Sequence, residues 1–387
     1  MLIKKLIKFA NKLESPKYPL LGPNIKVLYI FGLWFHGNKV YKLLFYCIHF
    51  FALIFVASEF IDLYEKRNSM IKALENIFIL GISIVAFTKL IIFIANLPEW
   101  TQIVNMISEE EISQIERNDP DTIKIMEEYK KYSRTITYTY WFLVILSILI
   151  TIFTPALKFV AATEYRKAII NGMEDPPFIF SSWFPFNEKK MPGYLVATLF
   201  HLFGALQGGG VVASFDANAV VIMTFLKGQA MIITEKCKNI FGGEHPVSKR
   251  EILIRIQECH RLHNFVYTMF NALLSPVMMV YVFVCSITIC CGVVQLTSEG
   301  VQMFQKLWAV EFVLAQCFQL FLYCWHSNEI ALEVMYVDMT KALNMRKLLL
   351  LLAGKMEKSL ILDAGPFTNL SVRTFLEVSF IFNLYIF

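Results

Sequence analysis

The chain has 387 residues, of which 56% are hydrophobic, 15% aromatic and only 17% charged; its net charge is +5 and its mean hydropathy +0.53. That composition excludes an ordinary water-soluble domain and points to an all-α membrane protein with several crossings. The small positive balance fits loops facing a cytoplasm and gives no reason to expect a nucleic-acid partner.

Residues 1–39 read as a cytosolic N-terminal segment. Lys4, Lys5, Lys8 and Lys12 interrupt Leu2, Ile3, Leu6, Ile7, Phe9 and Leu13, too often for a signal peptide. An amphipathic helix on an anionic leaflet and a frayed basic tail both fit. Seven apolar segments follow, at 40–63, 70–97, 134–158, 193–233, 265–296, 304–326 and 367–387. Each is near or above the ~20 residues a helix needs to cross a bilayer. The fourth is too long for one straight crossing at ~1.5 Å per residue, so it is expected to project past the membrane. Gly208-Gly209-Gly210 near its middle either bends it or admits a close neighbouring helix.

Basic residues set the orientation. With the N-terminus in the cytosol, the inner segments collect the N-terminal lysines, then Arg117, Lys124, Lys130, Lys131 and Arg134. They go on to collect Lys236, Lys238, Lys249, Arg250, Arg255 and Arg261, a clear excess over the outer loops. An odd number of crossings then puts the C-terminus outside, opposite to a G-protein-coupled receptor. The chain also lacks the cysteines for the outer-loop disulfide usual in that class, and its eight cysteines suggest no extracellular disulfide framework. The outer loop 158–192 carries Pro176-Pro177-Phe178 and Trp183-Phe184-Pro185-Phe186, which suits a lid over the bundle or an aromatic anchor at the headgroups.

Chemistry-bearing residues are few. Cys259, His260 and His263 share a helix, with Cys237 and His245 near in sequence. Four zinc ligands of fixed geometry are not evident, and hydrogen-bonding histidines at a helix base are the simpler reading. Asn369-Leu370-Ser371 is a glycosylation sequon, but this orientation places it at the inner end of the last span. No catalytic motif is present, so no enzyme and no cofactor is expected. Intramembrane ionisable groups carry more weight. Lys89 is expected to snorkel to the inner surface; Asp216 is expected to pair with a neighbouring helix, and Glu311 and Glu377 complete the set. Thr374, Glu377, Ile381 and Leu384 recur at helical spacing on one face of the last segment. If chains meet at a central axis, Glu377 would ring a lumen and favour cations; its rival role is a salt bridge to Arg373 one turn earlier.

Several of these stretches together resemble the insect odorant receptor family, of the odour-tuning rather than the co-receptor kind. They are Trp183-Phe184-Pro185-Phe186, Ser214-Phe215-Asp216, the Cys259…His263 base, Tyr323-Cys324-Trp325…Asn328-Glu329, and Ala364-Gly365…Thr374-Phe375-Leu376. The resemblance spans essentially the whole chain, and the last two stretches are the most specific. The Thr-Tyr…Gln-Phe ending usual in gustatory receptors is missing. The enlarged loop that marks the co-receptor between the fourth and fifth spans is compact here. The resemblance implies a heterotetramer with the co-receptor in the plasma membrane of sensory dendrites, gated as a nonselective cation channel by a small volatile organic ligand. It divides the chain into the N-terminal segment (1–39), a six-helix bundle with an outer-half pocket (40–326), a cytosolic anchor (327–366) and a pore helix (367–387). By depth, the ligand contacts expected are Phe78, Ile82, Ile145, Leu149, His201, Gly204, Tyr281 and Phe312. Thr374, Glu377, Ile381, Leu384 and Phe387 would line the pore. Family members usually continue past the pair matched by Tyr385-Ile386, so either Leu384 and Phe387 form the hydrophobic gate or the sequence stops short of it. A seven-helix G-protein-coupled chemoreceptor or a gustatory receptor is the alternative. A transporter would need paired repeats with broken helices, which are not seen.

Overall fold

A computed structural model of the chain describes residues 12–35, 39–171, 173–239, 249–298, 303–335 and 361–384. The elements are α1 (Gly22–Ile30), α2 (Lys39–Lys66), α3 (Met70–Ala95), α4 (Leu97–Arg117), α5 (Pro120–Ala161), α6 (Thr163–Ile170), α7 (Gly193–Asn239), α8 (Lys249–Thr297) and α9 (Met303–Met335). A hairpin of β1 (Asp363–Ala364) and β2 (Thr368–Asn369) and the helix α10 (Val372–Leu384) complete the elements among the described residues.

Among the described residues, α2, α3, α5, α7, α8 and α9 are long and apolar enough to cross a membrane. They coincide with the first six segments expected from hydropathy. The seventh differs: α10 has 13 residues, short of the ~20 a crossing needs.

Helix α7 is the axis of the bundle. Its apolar stretch is almost wholly enclosed, whereas that of α5 is left uncovered, as expected for a lipid-facing helix. Small residues let neighbours approach this axis closely. A Cβ on Gly210 would stand 1.9 Å from Phe31 Cε1, and one on Gly209 2.4 Å from Ile148 Cδ1. The helix runs unbroken through the glycines, and at Gly209 and Gly210 they make room for neighbouring side chains.

With 42, 47 and 49 residues, α5, α7 and α8 reach about 60–75 Å, twice the hydrocarbon thickness of about 30 Å. Their ends away from the 173–192 loop form a base with α4 and the N-terminal segment. Helix α4 buries Trp100, Ile103, Val104, Ile107, Glu111 and Gln114 at helical spacing. Trp100 stacks on Phe93 with ring centroids 4.8 Å apart and meets Phe215 and Phe270 edge-on. Leu20, Leu21, Leu28, Leu33 and Trp34 are buried too, so the described part of the N-terminal segment is packed chain rather than a tail. Glu111 ties the layers together, accepting the Leu20 N–H at 2.9 Å and the Tyr129 hydroxyl at 3.0 Å. Arg134 grips Glu14 through two nitrogens at 2.6 and 2.7 Å.

Asp363-Ala364-Gly365-Pro366 opens a tight hairpin, with Asp363 opposite Asn369 and Ala364 opposite Thr368. Gly365 turns it at φ +73°, a conformation open to glycine and costly for other residues. The hairpin docks on the base through side chains of α8 and α9. Asn271 Oδ1 accepts the Asp363 N–H at 2.8 Å, Ser275 Oγ the Gly365 N–H at 2.9 Å and Ser327 Oγ the Leu362 N–H at 3.0 Å.

Candidate ligand cavity

In the half of the bundle nearer the 173–192 loop, α2, α3, α5, α7, α8 and α9 line a half-open cavity of about 470 Å³. That lies within the range of about 300–1,000 Å³ typical of small-molecule sites. The wall is mostly apolar, with Ile82 and Val85 from α3, Val144 and Ile148 from α5, Gly204, Gly208 and Val212 from α7, Tyr281 from α8, and Phe312 and Phe318 from α9. Its polar groups are largely committed to one another. Ser147 donates to Glu311 at 2.6 Å, Thr288 to the Gln316 side chain at 2.9 Å and Tyr281 to the Gln316 carbonyl at 2.9 Å.

A buried ionic knot closes the floor. Lys89 Nζ lies 2.5 Å from Asp216 Oδ1. Tyr140 and Tyr323 each donate to the same carboxylate at 2.6 Å, and the Gln319 amide adds a fourth donor. The ammonium also faces the rings of Phe215, Tyr281 and Tyr323 at 5.7, 5.3 and 5.9 Å, a favourable cation–π setting. Asp216 therefore pairs with a neighbouring helix as expected. Lys89 does not snorkel: it is 0% exposed. The expectation failed because α3 runs into the protein base formed with α4, where its end meets side chains instead of lipid headgroups.

Four of the eight residues proposed from depth line this cavity: Ile82, Gly204, Tyr281 and Phe312. Phe78 stands behind the wall, edge-on to Phe312 at 5.1 Å and Trp308 at 5.8 Å. Ile145 and Leu149 sit on the outward face of α5, 56% and 45% exposed; the inward face is Val144, Ser147, Ile148 and Thr151. Ser147 and Thr151, hydroxyls one turn apart in an apolar helix, were the sequence signal for that face. Phe180, Trp308, Gln316 and Gln319 also belong to the lining and were missed.

His201 belongs to a second, polar cavity of about 950 Å³ beneath the 173–192 loop. Its Nε2 hydrogen-bonds Ser182 Oγ at 2.6 Å, and Phe55, Phe178, Phe180 and Phe184 surround its ring. Ser181 donates to Asp62 at 2.7 Å, the Asn76 amide donates to the same oxygen at 2.7 Å, and the Trp183 N–H donates to the Ser58 carbonyl at 3.1 Å. These contacts fold the loop over the bundle, the lid of the two arrangements considered from sequence.

On α10, Thr374 is buried and donates to the Asn369 carbonyl at 2.6 Å. Glu377 points away from the bundle and pairs with Arg373 at 2.8 Å. The side chains of Ile381 and Leu384, and all of Phe387, lie outside the described residues, as do the side chains of Cys237, His245, Cys259, His260 and His263. Among the described residues no His, Cys, Asp and Glu group could hold a metal.

The whole chain has a counterpart of known structure. The insect olfactory receptor OR5 from Machilis hrabei, solved in complex with eugenol, superposes with a TM-score of 0.78 at 14% identity, over 94% of this chain and 95% of that one. The structure of the same receptor reported without a named ligand gives 0.75 over the same shares, again at 14% identity. At that identity the likeness speaks for the fold alone. Curated protein sequences give no significant match. The family described as 7tm Odorant receptor matches residues 69–380, a stretch running from the turn before α3 to the exposed face of α10. That match takes in all but one of the cavity-lining helices, the loop above them and the docked hairpin, and on it the chain belongs to the odorant receptor family.

Proposed function

We propose that this chain is the odour-tuning subunit of a ligand-gated, nonselective cation channel. It assembles with the co-receptor as a heterotetramer in the plasma membrane, N-terminus in the cytosol and C-terminus outside. A small uncharged volatile occupies the 470 Å³ cavity, and that occupancy favours the open state. Helix α10 and the residues after it, rather than the whole of 367–387, form the seventh crossing and the pore wall. With Thr374 held in the bundle, the lumen face runs from Glu377 through Ile381 and Leu384 to Phe387.

The observation that carries this reading is the mostly apolar cavity set on a buried, hydrogen-bonded ionic floor. A ligand burying about 250 Å² of apolar surface gains about 6 kcal/mol, and ordering costs of several kcal/mol oppose it. Binding is then micromolar or weaker, and the ligand gates only by the difference in its affinity for the two states.

Whole-cell recording from cells expressing this chain with the co-receptor tests the reading, using a volatile panel that includes eugenol. Gly208 lines the cavity, and a Cβ there meets nothing within 4 Å. Gly208→Leu should therefore keep surface expression and lose responses to the bulkier active members of the panel, by tenfold or more in potency if about 1.4 kcal/mol of fit is lost. Absence of volatile-evoked current in every subunit combination would overturn the assignment.

A further inference from the structure

We propose that the polar loop cavity is the entrance vestibule of the apolar cavity and that Phe180 is the door between them. The inference rests on reading the apolar cavity as the ligand site. Ile79, Thr151, Phe180 and Trp308 line both spaces, so a single layer of side chains separates them. Three of the four are fixed on long helices, and Trp308 is wedged against Phe78 and Phe312 at 5.8 and 5.7 Å. Phe180 alone comes from the irregular chain between α6 and α7, where a side chain can swing without moving a helix.

The flanking contacts suit a hinged door. Ser181 and Ser182, immediately after Phe180, clip the loop to Asp62 on α2 and His201 on α7. The backbone is thereby held while the ring rests edge-on against Phe55 and near His201, both at 5.8 Å. Such ring contacts are each worth about 0.5–1.5 kcal/mol beyond area burial, so opening by side-chain rotation is fast compared with helix motion. The vestibule mixes the charged groups Asp62, Lys66, Lys158 and Lys189 with Phe178 and Trp183. An uncharged, partly apolar molecule can rest on its aromatic wall and then pass inward. A charged molecule would have to shed its hydration to enter the apolar cavity, at a cost of several kcal/mol, so the door admits neutral molecules.

Access can be read without any current. The full chain in lipid nanodiscs carries Val212→Cys as a reporter on the apolar cavity wall, and site-resolved mass spectrometry follows its labelling by N-ethylmaleimide, a neutral thiol reagent. Phe180→Ala should speed labelling several-fold, Phe180→Trp should slow it several-fold, and Ser182→Ala, which frees the loop from His201, should speed it. A permanently charged methanethiosulfonate should label Thr154→Cys in the vestibule and spare Val212→Cys. Equal N-ethylmaleimide rates at Val212→Cys in all Phe180 variants would place entry elsewhere, such as through the bilayer, and overturn the proposal. Labelling as expected in a chain that gives no volatile-evoked current would instead overturn the receptor reading and leave the access route standing.

Discussion

Lys89 and Asp216 sit where neither charge could stand alone. Breaking a buried pair from one side typically costs about 3–5 kcal/mol, because the remaining charge stays desolvated, while replacing both partners can be close to neutral. Lys89→Met should accordingly lower the melting temperature of the purified protein sharply, and adding Asp216→Asn should recover much of it. A double variant no more stable than Lys89→Met would show that the pair is not what couples α3 to α7. Glu111 is a second buried carboxyl, on α4, outside the candidate spans. Burial pushes it from an ordinary 4.5 up to about 7, against the Tyr129 and Leu20 hydrogen bonds and the nearby Lys130 and Arg134 charges, which pull it down. Because the folded state holds this proton more tightly, its stabilisation is complete below about pH 4.5 and is lost as pH rises through about 7, a difference of about 3 kcal/mol. Glu111→Gln should flatten the fall in melting temperature between pH 5.5 and 8; an unchanged slope would assign that pH dependence to other groups. Neither site was fully legible in sequence. Asp216 announced itself as a charge within an apolar run, but the depth of Lys89 depends on what its helix end meets. Glu111 lies in a polar stretch, and its partner Leu20 is 91 residues away.

At the scale of the helix, hydropathy located the six helices that are long and apolar enough to cross a membrane, because an apolar run of bilayer length leaves few alternatives. It gave no sign of α4 or of the docked N-terminal segment. Amphipathic chain that packs on other protein looks in sequence like any solvated loop. Face assignment failed on α5 for a related reason: Ile145 and Leu149 are as apolar as Val144 and Ile148, and only packing separates lipid-facing from protein-facing positions. The glycine triplet of α7 shows how fine the distinction becomes. A Cβ at Gly208 meets open space, whereas one at Gly210 collides with the Phe31 ring, whose carbonyl accepts the Gln207 amide at 3.1 Å. Gly208→Ala should therefore stabilise the helix by up to about 1 kcal/mol. Gly210→Ala should destabilise the protein by about 1–3 kcal/mol through overpacking, and Phe31→Ala should relieve it. Equal melting temperatures for the two alanine variants would mean that the N-terminal segment does not bear on α7.

On the proposed channel reading, the decisive surface of the whole molecule is the outward face of α10. Arg373 and Glu377 form an i,i+4 pair whose side chains are 87% and 61% exposed, and exposed pairs of this kind typically contribute less than about 1 kcal/mol. The pair therefore does little to hold α10 in place, whereas Thr374, Val378 and the Phe375–Phe321 contact at 5.4 Å fix the opposite side to the bundle. Charge on a weakly stabilising face, beside the exposed Leu376, suits a helix that meets its counterparts around an axis. There a carboxylate contributed by each such subunit would concentrate cations. On this reading Glu377→Gln leaves ligand-evoked current in place and lowers its relative calcium permeability, seen as a shift of reversal potential in high external calcium. Arg373→Gln frees the carboxylate and should shift the reversal potential in the other direction. Opposite shifts from two neighbours on one turn are hard to obtain from a general disturbance of folding. Identical reversal potentials in both variants and the parent would place the conduction path away from this face.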